Sequence, residues 1–403
     1  MNSIEIKVKT PIWTGDVDQK SELPQSSGII GSLRWWAEAI LRSMGKYACD
    51  PTDDGRCPKE ERNRKYYCSA CIIFGATGIR RVFRLNISGG KRAFVGGAIN
   101  VKPSGRNRGW YLGSGVVGEI NLGITSLDKD FDESLILLPL VLASNWGGIG
   151  AKTQHGYGVV EIEDCPEINF SRFKEAIEKI TKKERLSKLK INLRHKSSNG
   201  LPNLKEMFFA KAQFEAEDEW WRNVDGICPR KQDNYRGYIN DQRMTNWIRS
   251  GSVPIAPAIK NWLRYGNGRK LWETNNQNQN RRIENWLFGT TRNGKTASKI
   301  NISCAYVIGD NLWEFRVWGW IPEDELPAGF NRNGFLDHLK HALEGSGSII
   351  LPWNKLLGNQ TKSHKLKVWR EFDSPRDTIK PNESNIDSYL QSLLNCEVEQ
   401  NDL

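Results

Sequence analysis

Residues 72–88 read IIFGATGIRRVFRLNIS, and residues 286–303 read WLFGTTRNGKTASKINIS. Both stretches contain Phe-Gly-x-Thr, then a basic segment with glycine, then a cation, an aliphatic residue and Asn-Ile-Ser. Upstream of each, in the same order, residues 29–35 (IIGSLRW) and residues 259–265 (IKNWLRY) share a Leu-Arg-aromatic motif. Two matches in one order indicate that the chain contains two copies of one structural unit.

The periodicity of the first copy predicts the order strand, helix, strand, strand, helix, strand. Residues 3–8, 82–88 and 157–163 have strand patterns, and residues 32–43 carry one helical apolar stripe. Residues 134–143 form an apolar run with Pro139, which predicts a buried helix. The predicted order is that of the split βαβ unit. We therefore predict an α+β protein with two tandem ferredoxin-like (RRM-like, βαββαβ) domains, residues 1–185 and 200–403, with insertions and a polar C-terminal extension.

The charge distribution indicates a polyanionic partner. The whole chain has a formal net charge of +11. Residues 62–118 contain eleven basic residues and no aspartate or glutamate, so the charge of this segment equals the net charge of the whole chain. Like charges repel in a compact protein, and phosphates relieve that repulsion. Aromatic residues and glycines are interleaved with the cations, which favours nucleic acid. The sixteen tryptophans either fill the core or offer stacking surfaces for bases.

A glycine-rich loop follows the predicted second helix. Residues 146–158 read WGGIGAKTQHGYG. We predict positive φ angles at Gly150 and Gly156, with the N–H groups of residues 151–155 pointing outward at a phosphate. Side-chain donors would come from Lys152 to His155. The alternative is a helix-to-strand connector that needs glycine only for its turn.

This loop resembles that of the RAMP proteins of CRISPR systems, where such a loop precedes the last strand of a ferredoxin-like domain. Three further segments are similar to subunit one of the Cmr (type III-B) effector complex: TPIWTGD (residues 10–16), GIIGSLRWWAE (residues 28–38) and CSACIIFGATGIRRVFRL (residues 68–85). The resemblance implies two RAMP domains, guide or target RNA as ligand, and other Cmr subunits as partners.

The resemblance also implies which residues face the RNA. These are Arg34, Arg80, Arg81, Arg84, Lys152, Thr153, Gln154 and His155, with Gly150 shaping the loop. Charge alone adds four further RNA-binding candidates: Lys91, Arg92, Arg292 and Lys295.

Four cysteines predict a zinc site. Cys49, Cys57, Cys68 and Cys71 form C-x7-C-x10-C-x2-C, and a CxxC pair presents two thiolates to one tetrahedral zinc. The first two lie in the 16 residues that the second copy lacks, where a metal would hold a segment with little core of its own. The alternative is four reduced cysteines that pack as small apolar groups.

The N-terminus MNSIEIKVK has a strand pattern, and no apolar run approaches membrane length. We therefore expect a cytoplasmic protein with no membrane partner.

Three functions of different class fit these residues. The first is a binding subunit with no catalytic residues. The second is a metal-independent endoribonuclease with His155 as general base. The third is a scaffold whose basic face binds another protein. Asp16 and Asp18 follow the first strand, where cutting subunits of such complexes carry a catalytic aspartate, but the loop sequence here differs. We expect the first function.

Overall fold

The computed structural model describes residues 2–15, 21–61, 64–164, 167–181, 189–191, 200–227, 242–291 and 296–395. The protein is a mixed α+β structure whose two large sheets are antiparallel, as the sequence predicts. No helix within these ranges is long and apolar enough to cross a bilayer.

The first half contains nine strands and four helices in the part of the chain that the structure describes. The strands are β1 (Asn2–Ile12), β2 (Lys59–Glu61), β3 (Arg64–Tyr67), β4 (Phe83–Arg92), β5 (Ile99–Val101), β6 (Trp110–Leu112), β7 (Val116–Ser126), β8 (Val160–Ile162) and β9 (Leu189–Ile191). The helices are α1 (Ser26–Ser43), α2 (Ser69–Phe74), α3 (Ser134–Trp146) and α4 (Phe170–Thr181).

The first sheet has the strand order β4-β7-β1-β8. Numbered along the chain, these are the second, third, first and fourth strands. Ile6 lies opposite Ile120 on β7 and Ile162 on β8, and it belongs to the apolar core with α1 and α3. The alternate side chains of β1, such as Glu5 and Lys7, are exposed. This sheet therefore has one buried face and one open face.

The second half contains six strands and six helices in the described residues. The strands are β10 (Met207–Ala216), β11 (Ser252–Val253), β12 (Ile300–Ile302), β13 (Ala305–Gly309), β14 (Leu312–Trp320) and β15 (Thr361–Glu371). The helices are α5 (Gln242–Arg249), α6 (Ala256–Tyr265), α7 (Gln277–Phe288), α8 (Arg332–Glu344), α9 (Trp353–Leu357) and α10 (Ile386–Leu394).

The second sheet has the order β11-β13-β14-β10-β15, and β12 also pairs with β14. Unlike the first sheet, it is covered on both faces. Phe208 of β10 packs in the core of the second half. Phe209 packs against the first half, where its ring stacks on Trp36 of α1 with centroids 6.2 Å apart. A central strand buried on both faces explains the nearly continuous apolar run of β10.

The C-terminal extension returns to the first half. α10 packs in the same core as α3 and α4, and the Trp146 indole donates to the carbonyl of Leu393 at 2.7 Å. The domain boundary near residues 185–200 stays a prediction, because residues 182–188 and 192–199 lie outside the described residues.

The repeated motifs occupy corresponding positions. Leu-Arg lies in α1 and again in α6, and Phe-Gly ends α2 and again α7. Gly75 and Gly289 each follow the helix with φ angles of +87° and +74°. Glycine fits both positions because a left-handed backbone disfavours a Cβ.

Candidate nucleic-acid interface and cysteine cluster

The open face of the first sheet is polar and mixed in charge. Arg84, Asn86 and Ser88 of β4 lie on its solvent side, and their partners across the β7 ladder are residues 125, 123 and 121. Exposed carboxylates lie on the neighbouring strands, at Glu5, Glu119 and Glu161. The exposed Lys7 of β1 lies opposite Glu119 and Glu161, whereas β4, an edge strand of this sheet, contains basic residues and no carboxylate.

The predicted cations near β4 differ in solvent exposure and in their contacts with other protein groups. Arg80, Arg84 and Lys91 are exposed. Arg81 is half-buried and donates to the carbonyl of Phe83 at 3.0 Å. Arg92 forms a 3.0 Å ion pair with Glu22. The three exposed side chains are thus the best placed of the five for a phosphate.

Part of the cationic segment packs against the second half. The ring of Phe94 stacks on Trp247 at 6.1 Å, and the guanidinium of Arg106 lies 3.9 Å from the centre of the Tyr265 ring. The predicted candidates Arg292 and Lys295 lie outside the described residues, as do Asp16 and Asp18.

The tryptophans mostly fill the core. Trp36, Trp220, Trp247 and Trp369 are almost fully buried. In the described residues, the exposed aromatic side chains are Tyr111 and Tyr265, and neither belongs to the open sheet face. The described part of this face therefore lacks the stacking rings of an RRM sheet.

The glycine-rich loop is held by backbone contacts on both sides. Gly150 and Gly156 have φ angles of +84° and +103°, as predicted. The N–H of Ala151 donates to the Trp13 carbonyl at 2.7 Å, and the N–H of His155 donates to the Lys152 carbonyl at 2.8 Å. The prediction of outward N–H groups is wrong for these two residues, because both groups close the loop onto the protein.

The donors of the loop contact the second half. Thr153 Oγ1 donates to Asn301 of β12 at 3.0 Å, and the Cys304 N–H donates to the Gly156 carbonyl at 3.0 Å. The Nζ of Lys260 on α6 donates to the Gln154 carbonyl at 3.4 Å and to Ser298 at 3.2 Å. The loop thus serves as a junction between the two halves.

Burial sets the protonation of the loop cations. It lowers the pKa of Lys152 to about 8, and the Nζ of Lys152 lies 3.1 Å from the centre of the Trp13 ring. Burial, with the nearby charges of Lys260 and Lys152, lowers the pKa of His155 to about 4. His155 is therefore neutral at physiological pH and a weak base.

Lys260 is a structural residue that its sequence context does not reveal. Burial, with the nearby charge of Arg264, lowers the pKa of Lys260 to about 7. An unfolded lysine has a pKa near 10.4, so between pH 7 and 10 the unfolded chain binds the extra proton. Stability must therefore rise with pH across that window, by up to about 1.4 kcal/mol per pH unit from this group.

We expect Lys260→Met to remove this pH dependence. Between pH 7 and 9, the unfolding free energy of the wild type should rise relative to that of the variant by about 2 kcal/mol. Urea unfolding at several pH values measures the difference. The exposed Lys355→Met change is the control and should leave the pH dependence intact. A difference that stays constant with pH would contradict the assignment.

Two other buried charged groups are not marked by their sequence context either. Arg316 of β14 donates to the carbonyls of Ser144 and Gly147 at the end of α3, and so joins the two halves. Glu38 of α1 is 3% exposed. An arginine in a strand pattern and a glutamate in a helix normally predict solvent-facing positions.

The four cysteines converge as predicted. Cys49, Cys57, Cys68 and Cys71 are buried, and their sulfur atoms all lie within 4.8 Å of one another. The Sγ atoms of Cys49 and Cys71 are 3.5 Å apart, and those of Cys49 and Cys68 are 3.7 Å apart. Four thiolates at 2.3 Å from one zinc lie about 3.8 Å apart in a tetrahedron. The arrangement therefore fits a zinc ion.

Hydrogen bonding within the cluster lowers the pKa of Cys49 and Cys57 and raises the pKa of Cys68 and Cys71, so it favours thiolates at the first two only. The Cys68 N–H donates to the Cys57 sulfur at 3.3 Å. Hydrogen bonds from the side chains of Cys57, Cys68 and Cys71 hold the pKa of Cys49 far below its usual range. Arg34 lies against this cluster with only 16% of its side chain exposed.

The comparisons with known proteins agree with the sequence motifs. The sequence model of the RAMP superfamily matches residues 5–161, which hold the first sheet, the cysteine cluster and the glycine-rich loop. No curated protein matches the chain.

Among solved structures, the chain is similar to apo Cmr1 from Pyrococcus furiosus, with 14% identity over 84% of this chain and 96% of that chain, at a TM-score of 0.38. It is similar to a chain of the type III-B Cmr-beta complex bound to cognate target RNA and AMPPnP, in the presence of ssDNA (13% identity, 83% and 96% coverage, TM-score 0.34). It is also similar to a chain of the Cmr-beta complex bound to cognate target RNA, with 12% identity over 82% of this chain and 95% of that chain, at a TM-score of 0.33. Scores this low do not establish a shared fold, so the finding that remains is the sequence match of residues 5–161 to the RAMP superfamily model.

Proposed function

We propose that this chain is a non-catalytic, RNA-binding subunit of a cytoplasmic type III-B CRISPR (Cmr) ribonucleoprotein effector in antiviral defence. It contacts guide or target RNA near the far end of the guide–target duplex, and its protein partners are the other Cmr subunits. The RAMP match over residues 5–161 and the motifs of residues 10–16, 28–38 and 68–85 support this proposal. The observation that carries RNA binding is the set of exposed cations on β4 and just before it, Arg80, Arg84 and Lys91, at the edge of an open sheet.

We also propose that the chain consists of two tandem ferredoxin-like RAMP domains. The strand orders support this. The first sheet has the order β4-β7-β1-β8, and the second contains the corresponding order β13-β14-β10-β15, with β12 also paired to β14. Leu-Arg in α1 and α6, and Phe-Gly at the ends of α2 and α7, support the same repeat.

A structural zinc ion belongs to this proposal. The four thiolates would hold the ion and fix the loop between α1 and α2 to the first domain. Zinc supplies no redox chemistry, and four protein ligands leave no open position for a substrate. The ion would therefore stabilise the fold and take no part in a reaction.

A structural role for the glycine-rich loop, as the junction between the two halves, is better supported than catalysis by His155. A general base works best when its pKa lies near the working pH, and burial lowers the pKa of His155 to about 4. The neighbouring Lys152 and Lys260 add positive charge that opposes protonation of the imidazole.

The decisive experiment removes the exposed cations together. We expect Arg80→Ala, Arg84→Ala and Lys91→Ala, combined in one variant, to weaken binding of single-stranded RNA. The slope of log K against log salt should fall by about 0.7 for each phosphate that the variant no longer neutralises. The weakening should be similar for RNAs of different sequence, since phosphates carry no sequence information. Fluorescence anisotropy at four or more salt concentrations measures both quantities.

The control removes the same charge elsewhere. Lys355, Lys362 and Lys365 are exposed in the second half, and their combined change to Ala should leave the salt slope near that of the wild type. Equal slopes for both triple variants and the wild type would refute β4 as the RNA surface. If the wild type shortens the RNA and the His155→Ala variant does not, the result would support the nuclease function instead. A wild type that binds no RNA would leave the scaffold function.

A further inference from the structure

Arg34 lies at the centre of a network that includes both the cysteine cluster and the Phe-Gly turn. Its Nη2 donates to the Cys71 sulfur at 3.1 Å, and its Nη1 donates to the Gly75 carbonyl at 3.0 Å. Its Nε donates to Glu38 at 2.7 Å. One planar guanidinium thus holds a metal-ligand candidate, the helix α1 and the turn that leads to Arg80.

Arg42 holds the other end of the cysteine loop. It forms a 3.5 Å ion pair with Glu38, and its Nη2 donates to the carbonyls of Ala48 and Cys49 at 3.1 and 3.3 Å. Arg34, Glu38 and Arg42 are spaced four residues apart, so they form one stripe on α1. This stripe contacts the loop on both sides of the sulfur cluster.

The second copy shows what the Leu-Arg arginine requires. Arg264 of α6 donates to the Glu284 carboxylate at 3.0 Å and lies 5.8 Å from the centre of the Phe288 ring. Glu284 precedes Phe288 by four residues, and Cys71 precedes Phe74 by three. The helix that ends in Phe-Gly therefore supplies a carboxylate in the second copy and a cysteine in the first.

A cysteine is an anion only when its thiol has released the proton. A coordinating thiol is deprotonated by its metal, so a metal-bound Cys71 would present the negative charge that Glu284 presents to Arg264. A buried tetrathiolate zinc carries a net charge of about −2 from four thiolates and one Zn²⁺. Arg34 and Arg42 are cations that lie against it.

We propose that Arg34 is a positioning residue that links the cysteine-bound metal to the cationic turn of residues 75–84, and that it is not itself an RNA contact. This inference rests on the proposed metal and RNA sites. Removal of Arg34 leaves the Cys71 thiolate and the Gly75 carbonyl without their donor. The metal then leaves more easily, and the turn that carries Arg80 and leads to Arg84 on β4 is held less firmly.

The test compares zinc release with the salt dependence of RNA binding. The zinc-loaded full chain is mixed with excess chromogenic chelator, and release is followed by absorbance. We expect Arg34→Met to release zinc at least about tenfold faster, since removal of an outer-shell partner typically costs 10–100-fold in metal affinity. RNA affinity should fall several-fold while the slope of log K against log salt stays unchanged. Arg34→Lys keeps the positive charge but cannot donate to Cys71, Gly75 and Glu38 together. Its rate of zinc release should lie between those of the wild type and Arg34→Met.

Arg264→Met is the matched control, because it removes the equivalent arginine of the copy that lacks the four-cysteine cluster. It should release zinc at the wild-type rate. If Arg34→Met does not fold, Arg34→Lys carries the test. The proposal would be overturned if the Arg34 variants released zinc at the wild-type rate. It would also be overturned if the slope of log K against log salt fell by about 0.7, as expected when one phosphate is no longer neutralised. A wild-type chain that binds no zinc refutes the proposed metal site, which is a separate result.

Discussion

Cys68→Ser should abolish zinc binding and strongly destabilise the first domain. Cys68 is the residue that precedes helix α2, and serine is favoured at that position, so the change spares the helix start and removes one thiolate. Because the free energy of metal binding contributes to folding, we expect the free energy of unfolding to fall by more than about 4 kcal/mol. Elemental analysis should fall from about one zinc per chain to almost none.

Cys304→Ser is the control for this variant. Cys304 is also fully buried, but it lies beside the glycine-rich loop and outside the four-sulfur cluster. Its change should leave the zinc content at the wild-type value. If the freshly purified wild type contains no zinc and added zinc does not stabilise it, the four cysteines are instead reduced residues of the core.

Gly156→Ala should weaken the junction between the two halves of the protein. A Cβ at Gly156 would lie 2.5 Å from the Cys304 sulfur and 2.8 Å from the Cys304 backbone nitrogen. The backbone φ of +103° adds strain for any residue other than glycine. Since the Cys304 nitrogen cannot move away without breaking its hydrogen bond to Gly156, we expect the free energy of unfolding to fall by more than about 3 kcal/mol. Urea unfolding followed by tryptophan fluorescence measures it.

Gly118→Ala separates backbone strain from steric contact. Gly118 also has a positive φ, +91°, but a Cβ there meets nothing within 4 Å. This change should cost about 1–2 kcal/mol, the penalty of the left-handed conformation alone. Equal destabilisation by the two alanine variants would contradict the view that contact with Cys304 makes Gly156 necessary.

Local sequence patterns predicted the elements of the first half well. The alternation in residues 3–8 became β1, the stripe in residues 32–43 became α1, and the apolar run in residues 134–143 became α3 around Pro139. The last strand is shorter than predicted. Tyr157 and Gly158 stay in the loop, where the Gly158 N–H donates to the Pro11 carbonyl.

The sequence by itself determined the α+β class, the cysteine cluster and the positive φ angles of Gly150 and Gly156. Each depends on side-chain periodicity, on ligand type or on the one residue without a Cβ, and all of these are local properties. Only the tertiary structure decided where the cations point. Arg34 and Arg84 have the same charge, yet one contacts the buried Cys71 sulfur and the other is exposed. That difference arises because Arg34 of α1 faces Cys71 and Gly75 of the first half, which accept its hydrogen bonds, whereas Arg84 lies on the open face of the first sheet.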